Sequence, residues 1–176
     1  MPLKKEVLSK YVTECFIETG TYMGEGIDVA LECGFPLVKS VELSKGLYSV
    51  AQQKYKDNDK VHLFCGASQC MLREMIEDVK TQATFWLDGH WSGGNTGKSN
   101  VNSPLRQELH AIKKHPIKNH IIMIDDLRLF AVKESDYGFE LDLEDIKNRI
   151  LEINPNYEFS LEDGHVPNDV LVAVVK

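Results

Sequence analysis

The sequence predicts an α/β protein of three layers, in which helices cover both faces of a seven-stranded, mostly parallel sheet with a reversed last strand. Short apolar runs alternate with amphipathic segments along the whole chain, without internal repeats, and this alternation is typical of α/β layers. The last two apolar runs are separated only by residues 162–169. Because parallel neighbours would need a longer crossover, these two strands are predicted to be antiparallel.

The apolar runs predict strands at residues 15–19, 38–43, 61–65, 84–87, 120–124, 157–161 and 171–175. Amphipathic spacing predicts helices at 26–33, 44–56, 68–79, 104–114 and 142–153, with a short leading helix at 7–12. Ser44 and Ser103 are expected to cap two of these helices, and Gly34 is expected to end one in the left-handed conformation.

Composition favours one globular domain over residues 1–176, with a helical lead-in at 1–13 and the core at 14–176. The chain has 176 residues, of which 43% are hydrophobic, and a formal net charge of −7. This acidity argues against a nucleic-acid partner. We see no apolar run of the roughly 20 residues that span a bilayer and no leader sequence, so we expect no membrane partner and a cytoplasmic location. Four cysteines without C-x-x-C spacing are expected to be reduced thiols.

A glycine-containing turn follows the first predicted strand. It runs from Glu18 through Gly20 and Gly24 to Gly26, and its spacing differs from the G-x-G-x-x-G fingerprint of dinucleotide sites, which disfavours NAD. Glu42 ends the next apolar run, 22 residues after Gly20. In nucleotide-binding sites, a spacing of about this length places an acid where it can accept hydrogen bonds from ribose hydroxyls. The alternative is a tight turn followed by a surface glutamate.

This turn resembles the first motif of class I S-adenosylmethionine-dependent methyltransferases, which reads acid-x-Gly-x-Gly-x-Gly. Glu18, Gly20 and Gly24 match the motif, and Tyr22 replaces its middle glycine, as in the catechol and caffeoyl-CoA O-methyltransferase branch. The resemblance implies a Rossmann-like methyltransferase fold that binds S-adenosylmethionine. The implied cofactor-binding residues are Glu18, Thr19, Gly20, Thr21, Tyr22, Gly24, Glu42, Leu43, Gly66, Ala67, Ser68 and Asp88.

The segment after the third strand departs from the family pattern. Related enzymes often carry Asp between Gly66 and Ser68, facing the amino group of adenine, whereas this chain has Ala67. Ser68 and Gln69 are then candidates for polar contacts with the adenine edge. The alternative for each of the two residues is a plain helix cap.

Three aspartates follow the fourth and fifth strands. Asp88 ends one strand, and Asp125 and Asp126 end the next, so their carboxylates should meet at one edge of the sheet and need a compensating charge. A Mg²⁺ or other divalent ion would supply it. The alternative is that one Asp caps a loop while Arg128 or Lys98 neutralises the rest. A resemblance to catechol-type and macrocin-type sugar O-methyltransferases supports the prediction of a metal site, because their metal-binding Asp residues occupy these positions.

His90 is the candidate general base, because an imidazole near neutral pKa can accept a proton from an acceptor hydroxyl. The catechol-type enzymes use a lysine where this chain has Trp91. His90 could equally be a metal ligand or a structural histidine, and Asp88 is the second candidate catalytic residue. A P-loop reading of Gly97, Lys98 and Ser99 is disfavoured, because Ser92 stands where that motif requires glycine.

We therefore expect an enzyme that methylates a hydroxyl of a small molecule or sugar by in-line displacement, with metal assistance. The segments expected to select the acceptor are 91–103, 128–141 and 162–169. So short a chain could borrow walls from a second subunit, which makes a homodimer possible. The alternative function is a non-catalytic module that binds an adenosyl ligand.

Overall fold

A seven-stranded sheet forms the centre of the computed structural model, which describes residues 3–89, 103–130 and 141–176. The sheet order is β3-β2-β1-β4-β5-β7-β6. The strands are β1 (Phe16–Thr19), β2 (Val38–Glu42), β3 (Val61–Cys65), β4 (Thr84–Leu87), β5 (Ile121–Ile124), β6 (Tyr157–Glu162) and β7 (Val170–Val175). All seven predicted strands are present, each shifted by at most one residue at either end.

Strands β1 to β5 pair in parallel, whereas β7 is antiparallel to both of its neighbours, β5 and β6. The reversed last strand is therefore confirmed. Because β1 lies at the centre beside both β2 and β4, the carboxyl ends of these three strands open onto one edge of the sheet. In open α/β sheets, ligands bind at this edge.

Helices pack on both faces of the sheet, and the sheet divides the core into two clusters. Successive residues of a strand face opposite sides, so Phe16 packs in one cluster and Ile17 in the other. The helices are α1 (Lys5–Leu8), α2 (Glu25–Glu32), α3 (Lys45–Tyr55), α4 (Ser68–Met75), α5 (Leu105–Lys114), α6 (Leu127–Phe130) and α7 (Leu143–Leu151), and a 3-10 turn at Ser9–Tyr11 follows α1. The three-layer prediction is confirmed.

Several helix ends differ from the predictions. α4 ends at Met75, four residues early, and the buried ammonium group of Lys39 donates to the Met75 carbonyl at 2.9 Å. The residue directly before α5 is Pro104, and no side chain caps this helix. The predicted cap at Ser103 is therefore wrong. The four-residue α6 was not predicted. Ser44 does cap α3, since its Oγ accepts the Leu47 N–H at 3.5 Å.

Two histidines that precede β5 are buried. His115 and His120 are 5% and 0% exposed, and the Ala83 N–H donates to His120 Nδ1 at 3.0 Å. Nδ1 is therefore an acceptor, so Nε2 carries the hydrogen and donates to His115 Nδ1 at 2.9 Å. Burial, His115 and Lys118 lower the pKa of His120 to about 4. The pair is a structural element at the edge of the sheet opposite to the glycine turn.

All four cysteines are free thiols, and their exposure ranges from the buried Cys15 to the exposed Cys70. Within the described ranges, each helix is too short or too polar to cross a bilayer.

Candidate functional site

The glycine turn between β1 and α2 packs tightly against its neighbours. Gly20 has φ of +90°, and a Cβ on it would lie 2.6 Å from the carbonyl oxygen of Asp88. Gly24 has φ of +79°, and a Cβ there would lie 2.5 Å from the hydroxyl of Tyr55. Only glycine satisfies both constraints at these positions. The turn therefore lies directly against the tip of β4, where the acidic residues begin.

Tyr22, at the position of the missing glycine, also adopts a left-handed conformation, with φ of +47°. Its backbone N–H donates to Glu42 Oε2 at 2.8 Å, and the Ser44 N–H donates to Glu42 Oε1 at 2.8 Å. Glu42 is only 5% exposed, so the alternative of a surface glutamate is wrong. Each carboxylate oxygen keeps a second lone pair that can accept a ligand hydroxyl. Leu43, beside it, is half-buried.

Glu18 is buried beneath the same turn. Its Oε2 accepts a hydrogen bond from Ser40 Oγ at 2.6 Å, and Ser40 Oγ lies 2.6 Å from Thr21 Oγ1. Burial raises the pKa of Glu18 to about 8, with Glu42 and Asp28 adding to the rise and the Ser40 hydrogen bond opposing it. Glu18 is therefore mostly a neutral carboxylic acid at pH 7.

Three polar side chains surround Gly89, which follows Asp88. A Cβ on Gly89 would lie 3.0 to 3.1 Å from Glu108 Oε1, Ser68 Oγ and Thr19 Oγ1. The residue that precedes α4 is Ala67, and Ser68 is already the first helical residue, so the plain helix-cap reading of Ser68 is wrong. Its hydroxyl faces the strand tips instead. The neighbouring Gly66 allows a close approach by the side chain of Met71.

The predicted acidic cluster is present at the tips of β4 and β5. One carboxylate oxygen from each of Asp88, Asp125 and Asp126 lies within 4.8 Å of the other two. Burial, followed by the charges of Asp125, Asp126, Glu18 and Glu108, holds the pKa of Asp88 well above its usual range. Asp126 has φ of +57°, which aspartate tolerates better than most residues. Three carboxylates this close together need a compensating positive charge.

Arg128 supplies part of the compensating charge. Its Nη1 lies 2.5 Å from Asp126 Oδ1 and also donates to Asp169 Oδ2. The Arg128 N–H donates to Asp169 Oδ1 at 3.1 Å. The alternative interpretation was that Arg128 neutralises part of the cluster, and the ion pair with Asp126 agrees with it. Lys98 lies outside the described residues.

Sequence reasoning missed three residues at this site: Ser40, Glu108 and Asp169. Glu108 is 1% exposed, and it shares one face of α5 with the buried residues Leu105, Leu109 and Ile112. An acid at the helical spacing of an apolar face was a signal that could have found it. Asp169 lies in the loop before β7, and no sequence pattern distinguished it.

Some of the predicted site falls outside the described residues. This applies to His90, to Trp91 and the P-loop-like segment 97–99, and to most of the acceptor-selecting segments 91–103 and 128–141. The role of His90 therefore stays a prediction. The described residues bring together the glycine turn, Glu42, Ser68 and the three aspartates.

The fold is similar to solved methyltransferase structures. An O-methyltransferase from Bacillus cereus in complex with SAH superposes with a TM-score of 0.63 at 16% identity, over 98% of this chain and 78% of that one. An O-methyltransferase from Streptomyces achromogenes involved in tomaymycin synthesis, in complex with SAM, gives 0.57 at 11% identity, over 98% and 77%. The methyltransferase domain of bacterial CtHen1-C gives 0.61 at 13% identity, over 97% and 94%.

No protein-family model and no curated protein matches the chain in sequence. The structural likeness nevertheless establishes the fold, which is the Rossmann-like fold of S-adenosylmethionine-dependent methyltransferases.

Proposed function

We propose that this chain is an S-adenosylmethionine-dependent methyltransferase that methylates a hydroxyl group of a small molecule or sugar with the help of a divalent cation. The observation that carries the proposal is the position of Glu42. Its carboxylate is buried at the tip of β2 and fixes the glycine turn through Tyr22. The acidic cluster lies at the tip of β4, against the same turn. A nucleoside site and a cation site would thus be neighbours.

The residues around the turn would bind and orient the cofactor. Gly20 and Gly24 would leave room for its methionine part, and Glu42 would accept hydrogen bonds from the ribose hydroxyls. The hydroxyl of Ser68 lies at the strand tips and would contact the adenine edge. It would take the role of the aspartate that related enzymes carry at the position of Ala67. Thr19, Thr21, Leu43 and Gly66 would form the surrounding surface. Bound S-adenosylmethionine supplies the methyl group on a positively charged sulfur.

The acidic cluster fits a divalent cation. Three carboxylate oxygens within 4.8 Å of one another form the hard oxygen donor set that Mg²⁺ prefers. Asp88, Asp125 and Asp126 would hold the ion. The ion would make the acceptor hydroxyl more acidic and orient it.

His90 would accept the proton of the acceptor hydroxyl, because it follows directly after Asp88 and Gly89 at the tip of β4. The protein then has little covalent chemistry to perform, so positioning and exclusion of water provide most of the acceleration. With few residues beyond the core, we expect a small acceptor, or a pocket completed by a second subunit.

A second candidate function is a non-catalytic module that binds an adenosyl ligand. The ion pair between Arg128 and Asp126 favours it, since this pair satisfies one member of the cluster without a metal. Ala67 and Trp91 also favour the binding module, because they replace residues that related enzymes use.

Thermal unfolding with S-adenosylhomocysteine, with and without Mg²⁺, tests both functions. The enzyme predicts stabilisation by the ligand, a further increase with Mg²⁺, and loss of that increase in Asp125→Asn. Asp163→Asn, in the hairpin loop, is the matched control. Stabilisation by the ligand that does not change with Mg²⁺ favours the binding module. If the ligand does not stabilise the folded protein at all, both functions are contradicted.

Release of S-adenosylhomocysteine from S-adenosylmethionine separates the enzyme from the binding module. A panel of catechols and sugars serves as acceptors, with and without Mg²⁺. Acceptor-dependent release supports the enzyme. Stabilisation by ATP alone would instead favour the P-loop reading.

A further inference from the structure

The last turn of α3 packs against the end of the glycine turn. The hydroxyl of Tyr55 lies 2.7 Å from the carbonyl oxygen of Gly24 and 2.7 Å from Asp28 Oδ1. The ammonium group of Lys54 donates to the Met23 carbonyl at 3.1 Å and to Asp28 Oδ2 at 2.6 Å. Two consecutive side chains of α3 thus bind two consecutive carbonyls of the turn and one acid on α2.

The side chain of Tyr55 is buried directly against Gly24. Tyr55 is 7% exposed, and a Cβ on Gly24 would lie 2.5 Å from its hydroxyl oxygen and 2.9 Å from its Cε2. Gly24 is also the residue that begins α2, since its carbonyl accepts the Asp28 N–H at 3.0 Å. The one hydrogen of the Tyr55 hydroxyl is shared between these two residues. Tyr55 therefore fixes the point at which the turn passes into the helix.

The β2–α3 segment holds the turn at two points. Glu42 accepts the Tyr22 N–H at 2.8 Å, and the Tyr55 hydroxyl donates to the Gly24 carbonyl two residues later. Tyr22 and Gly24 are the two residues of this stretch with positive φ, at +47° and +79°. The two anchors thus lie at the two left-handed residues. Loss of the second anchor would release the Gly24 end and leave the Tyr22 end in place.

We propose that Tyr55 is a positioning residue of the cofactor site, whose hydroxyl fixes the Gly24 end of the turn in the shape that admits the amino-acid part of an adenosyl ligand. This inference rests on the proposed function, in which Gly20 and Gly24 leave room for that part. A turn that is fixed in advance does not have to be ordered by the ligand. Without the anchor, the affinity falls with the fraction of molecules whose turn keeps this shape.

Tyr55→Phe tests this role, because it removes the hydroxyl and keeps the ring. Two ligands separate the parts of the site, since S-adenosylhomocysteine carries the amino-acid part and 5′-methylthioadenosine lacks it. We expect Tyr55→Phe to bind S-adenosylhomocysteine about three- to tenfold more weakly and to change the affinity for 5′-methylthioadenosine by less than about twofold. Calorimetry measures both affinities, at a temperature well below the unfolding midpoint of each variant.

Tyr157→Phe is the matched control. Tyr157 is also buried, and its hydroxyl donates to the His120 carbonyl at 2.7 Å, at the opposite edge of the sheet. Each variant loses a buried hydrogen bond from a tyrosine to a carbonyl, so both should be less stable than the wild type. Tyr157→Phe should nevertheless bind both ligands as the wild type does. A merely structural role of Tyr55 would make the two variants behave alike.

Lys54→Met gives a milder change at the same place. The side chains of Lys54 and Asp28 are 38% and 45% exposed, so their ion pair contributes less than a buried hydrogen bond. We expect a loss of about twofold in the affinity for S-adenosylhomocysteine and none for 5′-methylthioadenosine. Lys113→Met breaks a similarly exposed ion pair with Glu152 and should bind both ligands as the wild type does.

The outcomes separate this inference from the proposed function. An equal loss of affinity for both ligands in Tyr55→Phe, or no loss for either, would overturn the inference and leave the proposed function standing. The same selective loss in Tyr157→Phe would also overturn it. If Tyr55→Phe does not fold, Lys54→Met and its control decide by the same comparison. A folded wild-type protein that does not bind S-adenosylhomocysteine would overturn both.

Discussion

The carboxylate of Glu42 accepts the backbone N–H of Tyr22 at 2.8 Å, so an acid at the tip of β2 fixes the conformation of the turn that follows β1. A second hydrogen bond, from the Ser44 N–H, ties the same carboxylate to the start of α3. Glu42 thus shapes the turn before any ligand arrives.

Glu42→Gln should weaken binding of S-adenosylhomocysteine by at least tenfold and lower the stability by about 1 to 2 kcal/mol. The amide offers only one acceptor oxygen, so either the Tyr22 or the Ser44 N–H loses its partner. Calorimetry and urea unfolding measure the two effects. Glu74→Gln, an exposed glutamate on α4, is the control and should change neither. Wild-type affinity in Glu42→Gln would contradict the role of this residue in ribose binding.

Gly20→Ala should destabilise the protein considerably more than Gly34→Ala. Both glycines have φ near +90°, but a Cβ at Gly20 meets the Asp88 carbonyl, whereas nothing lies within 4 Å of one at Gly34. We expect a cost of about 1 kcal/mol at Gly34 from the backbone alone and at least about 2 kcal/mol more at Gly20. Chemical unfolding compares them, and equal costs would mean that the turn relaxes away from β4.

Tyr22→Gly should be more stable than Tyr22→Ala by about 1 kcal/mol, because only glycine adopts a positive φ without strain. The tyrosine side chain is 49% exposed, so both variants lose little packing. The same two changes at Tyr48, inside α3, should have the opposite order of stability. In a helix, alanine is more stable than glycine by about 1 kcal/mol. An identical order at the two positions would argue against the left-handed turn.

Arg128→Met should lower stability in the absence of metal by about 2 kcal/mol, since Asp126 and the buried Asp169 lose their cationic partner. The same change should increase the stabilisation by Mg²⁺, because the Arg128 guanidinium then no longer competes with the ion for Asp126. Thermal unfolding with and without Mg²⁺ measures both effects. Arg73→Met, on the exposed face of α4, serves as the control. A Mg²⁺ response equal to that of the wild type would show that Arg128 and the ion do not compete.

Stability should fall as the pH drops from about 6.5 toward 4, in part through His120. Its pKa is lowered from 6.5 to about 4 in the folded protein, so the unfolded chain binds the proton first on acidification. The stabilisation is complete above pH 6.5, and about 3 kcal/mol is lost by pH 4.

His120→Asn keeps an acceptor near the place of Nδ1 and cannot titrate, so its unfolding free energy should depend less steeply on pH than that of the wild type. His62→Asn, at an exposed position on β3, should keep the wild-type slope. Parallel curves for His120→Asn and wild type would assign the acid sensitivity to other groups.

The sequence was sufficient to predict features that depend on local pattern. Apolar runs bounded by turns located each strand, and the parallel order placed Glu42 and Asp88 at one edge because strand ends meet there. Ser40 was not predictable, since its contact with Glu18 depends on the register between β1 and β2. The burial of His115 and His120 was not predicted for a related reason: the two rings share a hydrogen bond across five residues, and no periodic sequence pattern indicates such a pair.

The position of β7 between β5 and β6 has a consequence for hydrogen exchange. β6 forms ladder hydrogen bonds with β7 alone, whereas β7 also pairs with β5. Opening of β7 must therefore expose the amides of β6 that bond to it, while β6 can detach and leave β7 docked on β5. Deuterium should enter β6 at least as early as it enters the side of β7 that faces β5.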